Sequence, residues 1–270
     1  MRGEVLLIAS GRAPPRAFFA VSALVFAAAA ALTIAWCGGM SGMGGMTMPG
    51  GWTMSMAWMR MPGQTWLGAV AGFLAMWVVM MVAMMLPALA PMLWRYREAV
   101  DRAGERRLGW LTLLAGTGYF SVWTFIGVAA FPLGAALAAA EMEMPGLARA
   151  VPVAAGAVVL IAGALQFTRW KAHHLGCCRA LPGHGQRVPA DAATAWRHGI
   201  SLGFHCSFCC AGLTAILLVI GVMDLRAMAV VAAAITLERL APAGERVAHG
   251  IGIAAIGAGL ILIARAAGLG

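Results

Sequence analysis

Three thiols and an imidazole crowd one turn of this chain. In the run His205–Cys210 (HCSFCC), Cys206, Cys209 and Cys210 stand at i, i+3 and i+4, and His205 and Cys209 at i, i+4. On a helix, that spacing presents the four groups at side-chain contact distance. Thiolate and imidazole are the ligands of soft or borderline metals such as Cu(I) and Zn. The run lies inside an apolar segment long enough to cross a membrane, where ionisable side chains mark function. Cysteine also packs as a small hydrophobe. Half of the six cysteines sit in this one turn beside a histidine, and that concentration favours the metal.

Soft sulfur recurs along the chain. The stretch Gly38–Thr65 is built from glycine and methionine, with Met40, Met43, Met46, Met48, Met54, Met56, Met59 and Met61. A loop built only for flexibility uses glycine and serine, whereas thioethers select Cu(I) and need no deprotonation. These methionines are expected to capture copper outside the membrane. The competing expectation is an apolar loop on the membrane surface, anchored by Trp52 and Trp58. In the next apolar segment Met76, Met80 and Met84 are spaced by four, as are Met81 and Met85, so two adjacent stripes run down one side. At about 1.5 Å per residue, Met84 and Met85 lie roughly 15 Å from the nearest arginines and Cys206–Cys210 about 12–18 Å from His198. Thioethers and thiols are thus expected at one depth, with Gly203 and Gly212 allowing close helix approach. A further cluster, His174, Cys177 and Cys178, opens the polar loop Arg169–His198, with His173, His184 and His198 nearby.

Apolar helices must position these groups. Of the 270 residues, 62% are hydrophobic and 11% charged, far from the balance of a soluble domain. Apolar runs cover Ala17–Trp36, Trp66–Leu93, Trp110–Ala140, Val151–Phe167, Gly199–Val222, Ala227–Leu240 and Val247–Ala264. Each approaches the ~20 residues of a spanning helix, Ala227–Leu240 being short, and such non-alternating runs exclude a barrel. The expected fold is an all-α transmembrane bundle of seven helices, or six if the short run is re-entrant. Pro87 and Pro91 are expected to break or kink the second helix.

The net charge of +9 reports topology rather than nucleic-acid binding. Fifteen of the 19 basic residues fall before the first run or after the second, fourth and sixth; Arg60, Arg149, Arg226 and Arg265 fall on the other side. The positive-inside rule then puts the N-terminus in the cytoplasm. Trp36 before Cys37 does not suit signal cleavage, so residues 1–36 read as a tail and uncleaved signal anchor, 37–65 as a periplasmic Met/Gly loop and 66–265 as the metal-binding bundle. Acidic residues are scarce: Glu141 and Glu143 are assigned to an outer loop, and Glu238–Arg239 to an ion pair or cap at the interface. No nucleotide or hydrolase motif is present, which argues against an enzyme.

Four features together resemble domain-of-unknown-function family 2182, predicted metal-binding integral membrane proteins of bacteria. Met76–Pro91 is similar to that family's methionine-rich helix with two prolines. Lys171, Leu175, Cys178 and Arg179 are similar to its K-x-x-C-L-x-x-C-R motif. Cys206, Cys209, Cys210, Gly221 and Met223 match parts of its C-x-G-C-C-W … G-x-M-N pattern, and Glu238–Arg239 with Pro242 stand where it has E-K and a proline. His174 replaces a motif cysteine, Phe208 and Ala211 replace glycine and tryptophan, and Asp224 replaces asparagine. The resemblance implies a metal-binding membrane protein. The combined expectation is a bacterial inner-membrane protein that binds Cu(I), with zinc or another soft metal as alternatives. It would move the ion across the bilayer or pass it to a metallochaperone or membrane partner. The rival functions are a non-catalytic membrane scaffold or subunit, a thiol–disulfide oxidoreductase and a haem bundle using His205 and His249.

Overall fold

The computed structural model describes residues 15–41, 45–60, 63–102, 107–179 and 191–268. Met43, Met61, His184 and most of the N-terminal tail lie outside the described residues. The fold is a helical membrane bundle. Its helices are α1 (Pro15–Ser41), α2 (Trp66–Arg102), α3 (Leu108–Glu143), α4 (Pro145–Leu165), α5 (Arg169–Arg179), α6 (Ala192–Ile220), α7 (Leu225–Leu240) and α8 (Gly244–Ala266). Six of them, all but α5 and α7, are long and apolar enough to cross a membrane.

The short α7 still connects the two ends of the bundle. Met223, just before its start, meets Cys37 near the end of α1, and Glu238 in its last turn meets Gln166 just after the end of α4. In an alternating bundle the ends of α1 and α4 lie on opposite faces. The 16 residues of α7 rise about 24 Å, short for a span, so its charged last turn stays within the protein.

Local chemistry sets the boundaries. Asp191 caps α6 by accepting from the Thr194 N–H at 2.9 Å, and Asp224 caps α7 by accepting from the Arg226 and Ala227 N–H groups. Gly221 ends α6 at φ 138, a conformation that side chains rarely adopt. Pro145 opens α4 after a single intervening residue, Met144. Glu141 therefore belongs to the last turn of α3 and is buried, not in an outer loop. Pro87 and Pro91 do not break α2, which continues through both.

Glycines decide which helices touch most closely. A Cβ on Gly199 would collide with the Ala115 carbonyl, and one on Gly203 would meet the Tyr119 carbonyl at 2.9 Å. Gly212 faces Ala162 of α4. These glycines seat α6 on α3 and α4, not on α2 as expected. On α4 and α8, Gly163 meets Gly252 and Gly156 meets Gly259 backbone to backbone. The helix α2 packs mainly on α1, α3 and α7.

Candidate metal centre

The turn Gln166–Thr168 separates α4 from α5, and α5 packs against α6 and α7. This 11-residue helix was expected as the start of a polar loop. Its spacing explains the difference. Lys171, Leu175 and Cys178 stand at i, i+4 and i+7, and these three are its buried residues.

Cys178 therefore enters the cluster on α6 instead of forming a second one at its mouth. Its thiol lies beside Cys206 and Cys209. The Cys206 and Cys210 sulfurs are 3.8 Å apart, and Cys209 lies beside Cys210. All four side chains are buried, and all four cysteines are free thiols rather than disulfides. Cys177, the neighbour of Cys178, turns away to His173 Nε2 at 3.7 Å. The structure thus divides a cysteine pair that sequence spacing treats alike.

A charged shell surrounds the sulfurs. Tyr119 of α3 donates its O–H to Cys206 Sγ at 2.9 Å, and Arg239 of α7 donates Nη1–H to the same sulfur at 3.3 Å. Lys171 Nζ donates to Glu238 Oε2 at 2.6 Å and to the Cys209 carbonyl at 2.7 Å. Gln166 donates to the other Glu238 oxygen at 3.0 Å. Glu238 and Arg239 are therefore not an interfacial pair. Each is buried, and each is directed to a different partner on another helix. Arg179 donates to the Glu238 and Pro242 carbonyls, closing the end of α7. Lys171 and Arg239 belong to the motifs already noted, whereas Tyr119 and Gln166 are neighbours that motif spacing does not reveal.

The environment acts on the groups of α5. The neighbouring Cys206 and Cys209 sulfurs, then burial, push the Cys178 thiol well above its ordinary range. Burial would lower Lys171, but the Cys209 sulfur and Glu238 carboxylate outweigh it and hold the ammonium above its usual value. His174 is lowered by burial, then by His173 and His205. Its Nδ1 lies 3.3 Å from His205 Nδ1, and its ring packs against Trp170 and Phe208. His249 stacks on Phe167 instead, so the two histidines of a haem reading take different partners.

The methionine regions behave differently. Met76, Met80, Met81, Met84 and Met85 are all buried in the core that contains the four cysteines. Between α1 and α2, Met46–Thr47 pairs with Thr53–Met54 as a small hairpin, and Met56–Trp58 forms one 3-10 turn. Met48 and Met54 are buried against Ala138 and Ala148 of α3 and α4, with Trp52 donating to the Ala148 carbonyl at 2.8 Å. Met46 is exposed, Met56 and Met59 are half-buried, and Met40 lies within the end of α1, also half-buried.

Four thiols and two imidazoles are a soft donor set, suited to Cu(I). They form a contact cluster rather than a finished coordination sphere: among the described residues, no three His, Cys, Asp or Glu side chains stand in metal-holding geometry. Neither a curated protein nor a solved structure matches the chain. Residues 74–262, which include α3 to α7 and all four clustered cysteines, match the PpoB2 family model, described as a copper chaperone. The chain, matched over more than half of its length, belongs to this copper chaperone family.

Proposed function

We propose that this protein binds Cu(I) as cargo within the membrane and either carries it across or hands it to a partner. Cys178, Cys206, Cys209 and Cys210 are the ligands, with His174 and His205 as the neighbouring donors on the polar side. One observation carries this reading: two separate elements, α5 and α6, bring four free, buried thiols together. A soft cation is the partner that such donors suit best. The family's description, copper chaperone, agrees with that chemistry.

Copper enters this scheme at the exposed Met46 and the half-buried Met40, Met56 and Met59, and passes the thioethers of Met80, Met81, Met84 and Met85. It leaves through His174 and Cys177. Successive weak sites permit movement where one tight site would trap the ion. The N-terminus lies in the cytoplasm by the distribution of basic residues, and the membrane is a bacterial inner membrane. Residues 1–36, 37–65 and 66–265 act as anchor, capture segment and binding bundle, and the signatures of family 2182 fall in the bundle. The test is copper stoichiometry of detergent-purified full-length protein. Replacing all four clustered cysteines by serine should abolish bound copper, and unchanged copper would refute the assignment.

A further inference from the structure

The helix α5 has little of its own to hold it in place. It has 11 residues, and isolated helices shorter than about 12–15 residues are marginal. Of its three buried side chains, Lys171, Leu175 and Cys178, one is aliphatic. Polar contacts must therefore fix its position, and they converge on one residue. Gln166, in the turn before α5, donates to Glu238 Oε1 at 3.0 Å. Lys171, in the first turn, donates to Glu238 Oε2 at 2.6 Å. Arg179, the last residue of α5, donates to the Glu238 carbonyl at 3.1 Å. Glu238 is fully buried. It thus grips α5 at both ends, and Cys178 sits beside the second grip, on the face it shares with Lys171.

We infer that Glu238 is the positioning residue of the copper site: by holding α5 against α6, it sets Cys178 beside the α6 sulfurs. This rests on the copper reading above. Glu238 acts through Lys171 and Arg179 and is not itself a ligand. Without its carboxylate, the Lys171 ammonium keeps the Cys209 carbonyl as its remaining partner among the described residues. A buried charge left in that state is costly, and the cost is relieved when α5 moves away and the ammonium reaches water. Cys178 leaves the cluster with it, whereas Cys206, Cys209 and Cys210 stay on α6.

The test begins without metal. Full-length wild type and Glu238→Ala, in detergent, are treated briefly with a maleimide, and the modified cysteines are located by mass spectrometry. Cys178, buried in wild type, should stay unmodified there and react in Glu238→Ala. Cys37, buried beside Met223 before the other end of α7, reports on the rest of the bundle and should stay protected in both. Protection of Cys178 in Glu238→Ala, or modification of Cys37 along with it, overturns the inference. Cu(I) affinity gives the second readout. Glu238→Ala should weaken binding about 10–100-fold, the scale of losses from residues that support a metal's ligands. In a Cys178→Ser background the same change should cost less than about threefold, because the ligand it positions is already gone. Additive losses would mean a general structural role and overturn the inference. Wild type that binds no Cu(I) overturns the copper reading instead, and the maleimide pattern still tests the positioning. If Glu238→Ala does not fold, Arg179→Ala, which removes the half-buried grip at the end of α5, must give the same maleimide pattern or the inference fails.

Discussion

Two regions of this molecule are rich in sulfur, and they are built in opposite ways. Around Cys206, free thiols meet a guanidinium, a phenol and a buried Lys171–Glu238 pair. Around Met54, thioethers meet alanine and tryptophan, and the hairpin closes on α3 and α4. The first region makes buried polarity and must satisfy it; the second is a small apolar core. Sulfur content alone therefore does not identify a site. The neighbouring charges set the two regions apart.

The largest expected effect separates the two regions directly. Serine at Cys206, Cys209 and Cys210 together should reduce bound copper to near zero. Alanine at Met48 and Met54 should leave copper stoichiometry intact in purified protein. Equal copper loss from both sets would erase the distinction.

Glu238→Ala comes next. It strands Lys171 and removes the acceptor of Gln166. Breaking a buried pair costs about 3–5 kcal/mol, to be read as a lower unfolding midpoint in detergent. A variant as stable as wild type would show that the pair is solvated.

Met54→Ala should also destabilise, by about 2–4 kcal/mol for a buried large-to-small change, without altering copper binding. Its thermal midpoint and metal content can be measured on one sample. Gly199→Ala is expected to cost about 1–3 kcal/mol through overpacking against the Ala115 carbonyl, in the same assay. No loss there would mean that α6 and α3 separate easily.

Much of this arrangement was legible in the sequence, and the exceptions have physical causes. Apolar runs near 20 residues revealed the spanning helices, because hydrocarbon leaves the backbone few other solutions. The i, i+3, i+4 spacing revealed the shared face of Cys206, Cys209 and Cys210. The helix α5 was hidden because five of the 11 residues of RWKAHHLGCCR are Arg, Lys or His, so that it reads as a solvated loop; its three buried positions become meaningful only beside α6 and α7. Arg239 was hidden for a related reason. A charge at the end of a short apolar run suits an interface, and only the depth of α7 within the bundle sends it to a sulfur. The glycines were recognised as contact points, but sequence does not say which helix each one faces. Gly203 meets α3, not α2.

If α5 and α6 build one metal centre, the adjacent cysteines Cys177 and Cys178 must differ in their effect on binding. Cys178 is buried among the α6 sulfurs, whereas Cys177 turns to His173. Cu(I) affinity should be measured by competition titration on full-length wild type, Cys178→Ser and Cys177→Ser. The account requires Cys178→Ser to weaken binding by more than about 100-fold, beyond the range of losses around a metal site's outer shell, while Cys177→Ser stays close to wild type. Unchanged affinity in Cys178→Ser, or equal losses in both variants, would contradict a centre shared between the two helices.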